Sequence, residues 1–328
     1  MRRILLVLLV LATFGAGGAV AVAAFTATTS NPGNSLTAAN TFGGMKVATG
    51  TYTGNNSDDR AIAVAFQPDV VIVKGDRADF AVIRTSSMAG DATKDGAAAL
   101  APNMIQQLNA TGFQIGRDTA VNRNGTRYDW IAFKTYANQL KVGSYTGNGA
   151  RQSIGSMGFS PDYVMVLSAG ADAPIQRSRT MGGTFRFDEG AAAANGITSL
   201  DSGGFSVGDS TEANVNTRTY HYIAWNEING LMQESSYTGN GIDNRNIGGV
   251  TFQPDYVMVR SSTNGNVCDR EVHRPASLTG DSSLYFFNLA NTTNVIQALQ
   301  ATGFQVGADC KVNTNLKAYY WMAFRTGS

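Results

Sequence analysis

The stretch Ser144–Gly149 reads SYTGNG, and the same six letters return at Ser236–Gly241. A close variant, TYTGNN, occupies Thr51–Asn56. The three copies lie about 93 residues apart, and a fixed internal period of this kind indicates a repeated structural unit.

Three further landmarks follow each copy of the phrase in the same order. They are a Phe-x-Pro-Asp turn, a Gly-Phe-x-x-Gly segment and an aromatic strand. Such ordered matches in three places predict a triplicated module. The turns lie at 66–69, 159–162 and 252–255, the Gly-Phe segments at 112–116, 204–208 and 303–307, and the aromatic strands at 128–133, 220–225 and 319–324.

The sequence around these landmarks predicts β-structure. Residues 62–66 alternate between large apolar side chains and alanine, which is typical of a strand with one apolar face. The Pro-Asp pair is a turn signal, and the apolar run Val70–Val73 after it fits a strand covered on both faces. We expect seven or eight strands per copy, with the glycine of each YTGN phrase at positive φ in a turn. Short helical turns are predicted at 97–108 and 293–299.

Together these signals predict an all-β protein of three tandem antiparallel β-sandwich repeats, of the lectin or jelly-roll type, after an N-terminal signal segment. The predicted parts are a signal peptide at 1–24, a polar lead-in segment at 25–44, and repeats one, two and three at 45–137, 138–229 and 230–328. The connections between repeats are short. We therefore expect a compact or rod-like body of three lobes docked end to end.

The first 25 residues have the composition of an export signal. Arg2 and Arg3 precede an uncharged run over Ile4–Phe25 that becomes rich in glycine and alanine toward its end. This order favours a signal peptide that is cut near Ala23 or Ala24. The alternative is an uncut anchor, because an apolar run of this length is just able to span a bilayer. Either form places the protein outside the cell or at its surface.

The charge of the chain excludes some partner classes. Formal net charge is +1, from 25 Lys and Arg against 24 Asp and Glu. Two of the positive charges lie in the predicted signal peptide, so the rest of the chain is nearly neutral. A neutral body has no basic surface for nucleic acid or for anionic lipid. We expect no nucleic-acid partner, and a membrane partner only if the leader stays uncut.

The landmarks, with a mid-module arginine and a Val-Asn pair, resemble a repeated module of phage tail and virion proteins that also occurs in exported bacterial proteins. The resemblance covers residues 45–328 and implies lectin-like folds, while it leaves the ligand open. Repeat two departs from it, because Leu167 stands where the module has Lys or Arg. Separately, AAFTATTSNPGNSLTAAN at 23–40 resembles the segment after the signal peptide in camelysin-type matrix and surface proteins of bacteria.

The aromatic strand has large apolar side chains on both faces, whereas an exposed antiparallel strand has one polar face. One interpretation buries this strand between the two sheets and against the next repeat. The alternative is a row of rings on which sugar rings stack. The candidate ligand-binding rings are Tyr128 and Trp130 in repeat one, Tyr220 and Tyr222 in repeat two, and Tyr319 and Trp321 in repeat three.

An arginine recurs near the middle of each repeat, at a constant spacing of 95 residues. A partly buried guanidinium needs a planar acceptor, and the aspartates of the Phe-x-Pro-Asp turns are the expected partners. Otherwise the arginine could hold an acidic sugar or another anionic ligand. The arginines are Arg84, Arg179 and Arg274, and the aspartates are Asp69, Asp162 and Asp255.

The asparagine of each Val-Asn pair completes the candidate site; these residues are Asn122, Asn216 and Asn313. Asparagine in a loop is usually a turn residue. A calcium site would need six or more oxygen ligands, and repeat two lacks the acidic residues that Asp58 and Asp243 supply in the other copies. We therefore predict no metal and no cofactor, with Ca²⁺ as an alternative that the sequence does not support.

Catalytic residues are not expected. Cys268 and Cys310 are the only cysteines, and export makes a disulfide between them the default interpretation. The sequence has two histidines and few glutamates, and it contains no nucleophile, metal or phosphate-binding motif. No pair of carboxylates suggests a glycosidase either.

Two functional hypotheses lead, ahead of an extracellular hydrolase, which would need a cleft with two carboxylates about 5 to 10 Å apart. The first is a non-enzymatic secreted or surface protein whose three lectin-like modules bind a glycan or another surface polymer in adhesion or attachment. The second is a structural subunit of an extracellular matrix, filament or virion that self-associates without ligand. Exposure of Tyr128 and Trp130 separates them, because exposed rings favour binding and buried rings favour structure.

Overall fold

The computed structural model describes residues 44–190, 193–263 and 265–326, together with two short strands at 26–27 and 36–37. The predicted signal peptide and most of the lead-in segment lie outside the described residues. The chain divides into two compact units. Residues 1–43 contain β1 (Thr26–Ala27) and β2 (Leu36–Thr37), which pair antiparallel. Residues 44–328 contain the three repeats.

Each repeat has eight strands and one four-residue helix in the same order. Repeat one contains β3 (Lys46–Thr53), β4 (Arg60–Ala63), β5 (Val70–Gly75), β6 (Val82–Thr85), β7 (Lys94–Asp95), β8 (Ile105–Asn109), β9 (Gly112–Ile115), α1 (Thr119–Asn122) and β10 (Arg127–Lys134). Repeat two contains β11 (Leu140–Thr146), β12 (Gln152–Ile154), β13 (Tyr163–Ser168), β14 (Ile175–Ser178), β15 (Phe185–Arg186), β16 (Ile197–Asp201), β17 (Gly204–Val207), α2 (Thr211–Asn214) and β18 (Thr219–Trp225). Repeat three contains β19 (Met232–Thr238), β20 (Arg245–Ile247), β21 (Tyr256–Ser261), a 3₁₀ turn (Val267–Asp269), β22 (Val272–Pro275), β23 (Leu284–Tyr285), β24 (Ile296–Gln300), β25 (Gly303–Val306), α3 (Cys310–Asn313) and β26 (Ala318–Phe324).

Every repeat is a pair of antiparallel sheets. In repeat one a five-stranded sheet runs β3-β10-β5-β6-β7 and a three-stranded sheet runs β4-β9-β8. Repeats two and three reproduce this order strand for strand, as β11-β18-β13-β14-β15 with β12-β17-β16, and as β19-β26-β21-β22-β23 with β20-β25-β24. The prediction of an all-β chain with three antiparallel sandwich repeats is confirmed.

The helical turns expected at 97–108 and 293–299 are wrong. Their second halves form β8 and β24, which pair antiparallel with β9 and β25 across two-residue turns. The adjacent Gly-Phe strand supplies hydrogen-bond partners along its whole length, and this pairing overrides the weak local preference for helix. The helices of the structure instead follow the Gly-Phe strands, over four residues each.

Each sandwich has a core of its own between its two sheets. In repeat one the indole of Trp130 packs edge-on against Phe113 of the three-stranded sheet, with ring centroids 5.8 Å apart. The same contact joins Tyr222 to Phe205 at 5.4 Å and Trp321 to Phe304 at 5.9 Å. The aromatic strand and the Gly-Phe segment therefore recur together because they are the two sides of one core.

The opposite faces of the three five-stranded sheets meet in a fourth core, which all three repeats share. Its centre contains Phe133, Trp225 and Phe324, the equivalent aromatic residues near the ends of β10, β18 and β26. Their ring centroids are 5.1 to 5.8 Å apart, and none is more than 1% exposed. Both faces of the aromatic strand are apolar because one packs in its own sandwich and the other in this shared core.

The repeats form a closed triangle, which differs from the end-to-end row expected from the sequence. Each contact region between two repeats, called a seam below, carries a hydrogen bond from the turn after one repeat's arginine-bearing strand to the neighbouring repeat. Repeat one therefore contacts repeat three directly, although repeat two separates them in the chain. The seam hydrogen bonds join Ser87 to His221 (2.8 Å), Thr180 to Glu234 (2.5 Å) and Ser277 to Asp129 (2.7 Å).

Candidate functional site

The rings proposed from the sequence as a ligand surface are buried. Trp130 is the most accessible of the six, with 7% of its surface exposed. Exposed rings were expected for ligand binding and buried rings for packing. The observed burial therefore favours packing as the role of the aromatic strand. The other five are Tyr128, Tyr220, Tyr222, Tyr319 and Trp321, all 5% exposed or less.

The first tyrosine of each aromatic strand stacks on the tyrosine of the YTGN phrase. The rings of Tyr52 and Tyr128 are 5.2 Å apart and 16° from parallel. The Tyr128 hydroxyl donates to the Thr119 carbonyl at 2.7 Å and accepts the Arg123 N–H at 2.9 Å, so it is satisfied at the end of α1. Burial raises the pKa of both phenols. The same stack recurs between Tyr145 and Tyr220 and between Tyr237 and Tyr319.

The last residue of each short helix fastens the YTGN turn. The Asn122 side chain accepts the Asn55 N–H at 2.9 Å and donates to the carbonyls of Ser57 (2.6 Å) and Gly116 (2.9 Å). We call this arrangement the asparagine latch. Its equivalents are Asn214, which accepts the N–H of Asn148 at 2.8 Å, and Asn313, which accepts that of Asn240 at 2.9 Å.

The glycine of the phrase is needed for a close approach. A Cβ on Gly54 would lie 2.1 Å from the Arg123 carbonyl oxygen, and Gly147 and Gly239 meet the equivalent carbonyls at 2.2 and 2.1 Å. The expectation that these glycines take positive φ is wrong; Asn56, two positions later, does so at 61°. The phrase recurs because in each repeat its backbone packs against the end of the short helix and is held there by the asparagine latch.

The repeated Val-Asn letters selected the wrong asparagine in repeat two. Asn216 is exposed in the loop after α2, whereas the buried latch residue is Asn214. The Val-Asn letters at 215–216 match those at 121–122 by coincidence, because α2 ends in Ala213-Asn214 instead.

The arginines of repeats one and three are bound by their own turn. Arg84 donates to the carbonyls of Gly90 (2.5 Å) and Ala92, and it is 5% exposed. Arg274 donates to Gly280 (2.7 Å), Ser282 and two further carbonyls. Burial lowers the pKa of both guanidinium groups.

The expected aspartate partners of these two arginines lie elsewhere. Asp69 accepts the backbone N–H and the hydroxyl of Thr135, and Asp255 does the same for Thr326, which fixes the chain after each aromatic strand. Backbone carbonyls accept hydrogen bonds from the terminal guanidinium nitrogens instead, because the turn after each arginine curls around it.

In repeat two the structurally equivalent arginine is Arg177, not Arg179. Arg177 pairs with Val164 across the sheet, as Arg84 pairs with Val71 and Arg274 with Val257. Arg179 lies in the following turn, 59% exposed, and forms an ion pair with Asp162, the aspartate expected for it. The even spacing of 95 residues misled because the loop before β22 in repeat three is four residues longer than its counterparts, so the equivalent arginines lie 93 and 97 residues apart (177 − 84 and 274 − 177).

A polar network that the sequence did not reveal lies within the shared core. The Tyr163 hydroxyl donates to Gln176 Oε1 (2.8 Å), and Gln176 Nε2 donates to Glu271 Oε2 (2.6 Å). Beside it, Tyr256 and His273 share a hydrogen bond of 3.0 Å. Burial raises the pKa of Glu271 to about 8 and lowers that of His273 to about 3, so both groups are uncharged between these values.

Repeat three carries one further restraint. A disulfide joins Cys268 in the 3₁₀ turn to Cys310, the first residue of α3, with Cα atoms 5.2 Å apart. Near it, Asp269 accepts hydrogen bonds from Ser261 (2.6 Å) and Lys317 (2.9 Å). The turn before β22 is thereby tied to the end of the sandwich.

The described part of the chain has neither a metal-binding cluster nor a membrane-spanning helix. No group of three or more His, Cys, Asp or Glu side chains there is arranged to hold a metal ion. Asp58 and Asp243, considered for calcium, accept hydrogen bonds from Gln106 and Gln297 at 3.0 Å each. The described helices have four residues or fewer, too short for a bilayer span.

Two cavities open in repeat two. The first, called the seam cavity below, has a volume of about 510 Å³ and lies between repeats two and three, where Arg177, Thr198 and Tyr320 line it. The second has a volume of about 600 Å³ and is lined by Arg151, Asp209 and again Thr198. Sequence reasoning missed both, although the shortened turn of repeat two was a visible signal.

Comparisons with known proteins add one finding. A family described as a domain of unknown function (DUF7483) matches residues 134–231, which span repeat two from the end of β10 to the start of repeat three. A search of curated proteins found no match. The chain is thus similar to this family over one repeat, and the description of the family carries no activity.

Proposed function

We propose that this chain is a non-enzymatic structural subunit of an extracellular matrix, filament or virion. The observation that carries the proposal is the burial of all six candidate rings in the three sandwich cores of a body whose repeats also share a fourth core. A body with one core shared by three repeats resists relative motion of its lobes, which suits a building block more than a flexible tether.

The sheet edges supply a means of assembly. The first strand of each repeat, β3, β11 or β19, lies at the edge of its five-stranded sheet and is seven or eight residues long. Such edges present main-chain donors and acceptors that can pair with a strand of another molecule. We expect self-association to use these strands.

Secretion is part of the same proposal. The leader composition favours export, and a disulfide is a common stabiliser in extracellular proteins. An absence of catalysis is likewise proposed, since the polar groups described above are engaged in latches, turns and seams.

Carbohydrate or surface-polymer binding in adhesion or attachment, as in lectin-like or phage tail modules, is the second candidate. The buried aromatic strands do not support it. One observation does, namely that repeat two alone exposes the mid-repeat arginine, in the seam cavity.

Assembly is tested by sedimentation velocity and electron microscopy of the full chain over a wide range of concentrations. We expect ordered oligomers or filaments that grow with concentration. Monomers at every concentration, with no ordered particles, would contradict the structural proposal.

A further inference from the structure

We propose that the seam cavity binds a carboxylate-bearing saccharide, whose carboxylate pairs with the guanidinium of Arg177. The proposal goes beyond a structural function and does not depend on it. It rests on what repeat two lacks in comparison with the other two copies.

Arg177 is the one arginine of the three that its turn does not enclose. In repeats one and three the enclosing carbonyls come from residues such as Gly90 and Gly280. In repeat two the turn between β14 and β15 is two residues shorter than its counterparts. It contains glycines 182 and 183, which line the cavity. Arg177 keeps a hydrogen bond to the Ile197 carbonyl at 2.9 Å. A guanidinium has five N–H donors, and Arg177 is partly exposed in the wall of the cavity, so it has donors to offer a ligand there.

The charge of the cavity favours an anion. Among the described residues that line it, Arg177 is the single charged side chain, and no carboxylate is present. A planar guanidinium fork matches a carboxylate in a bidentate pair. A polyphosphate or nucleic acid would need several cations, and the nearly neutral chain does not provide them.

The other walls favour a sugar as the carrier of that carboxylate. Phe185 and Tyr320 meet at 5.5 Å across the seam and give one aromatic side, on which Tyr320 is only partly buried. The Thr198 hydroxyl is buried at the wall without a hydrogen-bond partner in the described residues. Apolar faces beside a few polar groups, in a cavity of this size, are typical of small-molecule sites.

The second cavity extends the site. It shares Asn195 and Thr198 with the seam cavity and adds the exposed Arg151, together with Asp209, whose carboxylate accepts a hydrogen bond from Asn195 at 3.0 Å. In repeats one and three this position is bridged, by Gln106 to Asp58 and by Gln297 to Asp243. Repeat two has Thr198 in place of the glutamine and no acidic partner. Two open cavities with an arginine each suit an acidic oligosaccharide better than a single sugar.

The test is isothermal titration calorimetry of the full chain with tetragalacturonate, with its fully methyl-esterified form, and with inorganic phosphate. Arg177→Gln removes the cation. Gly183→Phe occupies the cavity while Arg177 stays in the chain, and the backbone accepts a side chain at this position because nothing lies within 4 Å of a Cβ there. Arg179→Gln is the matched control, since it removes an arginine from the same turn outside the cavity.

We expect tetragalacturonate to bind and its ester not to bind. Arg177→Gln should weaken binding about 10- to 100-fold, the effect of one charge-assisted pair. Gly183→Phe should abolish binding, and Arg179→Gln should leave it unchanged. No binding by the wild type, equal binding of the ester, or full binding by Gly183→Phe would each overturn the proposal. Displacement by phosphate at equal concentration would overturn the assignment to a saccharide.

Discussion

Replacing Phe133 by alanine tests whether the three repeats fold as one body. This ring is 1% exposed and lies against Trp225 of repeat two and Phe324 of repeat three, at centroid distances of 5.6 and 5.1 Å. Removal of a buried phenyl ring costs about 3–5 kcal/mol, because apolar contact is lost and a cavity remains. Since Phe133 contacts both other repeats, all three should share the loss.

The magnitude converts to a change in melting temperature. Unfolding entropy is about 2.1 cal/mol/K per residue, so roughly 280 ordered residues give about 0.6 kcal/mol/K. A loss of about 4 kcal/mol then lowers the Tm by about 7 °C. Tyr136→Ala is the control, because this ring follows the same strand but is 41% exposed; it should change stability by less than about 0.5 kcal/mol.

Hydrogen-exchange mass spectrometry, together with urea unfolding, distinguishes the two possibilities. If the shared core couples the repeats, the slowest-exchanging amides of all three lose protection by the same free energy in Phe133→Ala. If the lobes are independent, only peptides from residues 45–137 change. A loss confined to that repeat, or a total loss below about 1.5 kcal/mol, would refute the reasoning.

Three further predictions concern the latch, the buried carboxyl group and the disulfide. Asn122→Ala should destabilise the protein by about 2–3 kcal/mol, because it leaves buried backbone groups unpaired, and the exposed Asn124→Ala should have no measurable effect in the same urea titration. The pKa of Glu271 is raised from 4.5 to about 8. Its contribution to stability is therefore fully present below about pH 4.5 and decreases by about 1.4 kcal/mol per pH unit as the pH rises to 8. Glu271→Gln should lack this decrease, so parallel stability profiles for the wild type and the variant would contradict the assignment. Replacement of Cys268 and Cys310 by serine opens a loop closed over a sequence separation of 42 residues. The free energy of unfolding should fall by up to about 4 kcal/mol, and equal urea midpoints for the two proteins would rule this out.

The fold followed from the sequence because its signals are local. Period-two alternation, Pro-Asp turns and short apolar runs each specify a strand or a turn within a few residues. Repetition then strengthened every weak signal threefold. The helical turns failed for the opposite reason: residues 105–109 and 296–300 become strands through pairing with a neighbouring strand, and a single segment does not display its partner.

The candidate site was predicted less well, because it was aligned by an even spacing and by repeated letters. The spacing placed Arg179 with Arg84, and the Val-Asn letters placed Asn216 with Asn122, whereas strand pairing and the asparagine latch place Arg177 and Asn214 there. An insertion or deletion in a loop shifts every later count but leaves strand pairing unchanged. The seam cavity lies beside the shortened turn after Arg177, and the alignment of Arg179 with Arg84 did not reveal that this turn is short.

One comparison within the sequence does separate the two kinds of core. The runs after the Pro-Asp turns read VVIV, YVMV and YVMV, and the second and fourth letters are valine in every copy. Those valines face the separate sandwich cores, such as Val71 and Val73 in repeat one. The first and third letters face the shared core, and they are valine and isoleucine in repeat one but tyrosine and methionine in repeats two and three. Residues 83, 176 and 273, also directed toward it, are isoleucine, glutamine and histidine.

The difference has a geometric cause. Each sandwich core is a separate space filled by its own repeat, so most side chains recur there, with Tyr222 in place of Trp130 and Trp321 as an exception. The shared core is one space filled by three copies, where three identical large groups would compete for the same volume at close packing. Phe133, Trp225 and Phe324 follow this rule, because one copy is larger than the other two. Apolar positions that vary among tandem copies, beside positions that do not, therefore indicate that the copies close around a common centre.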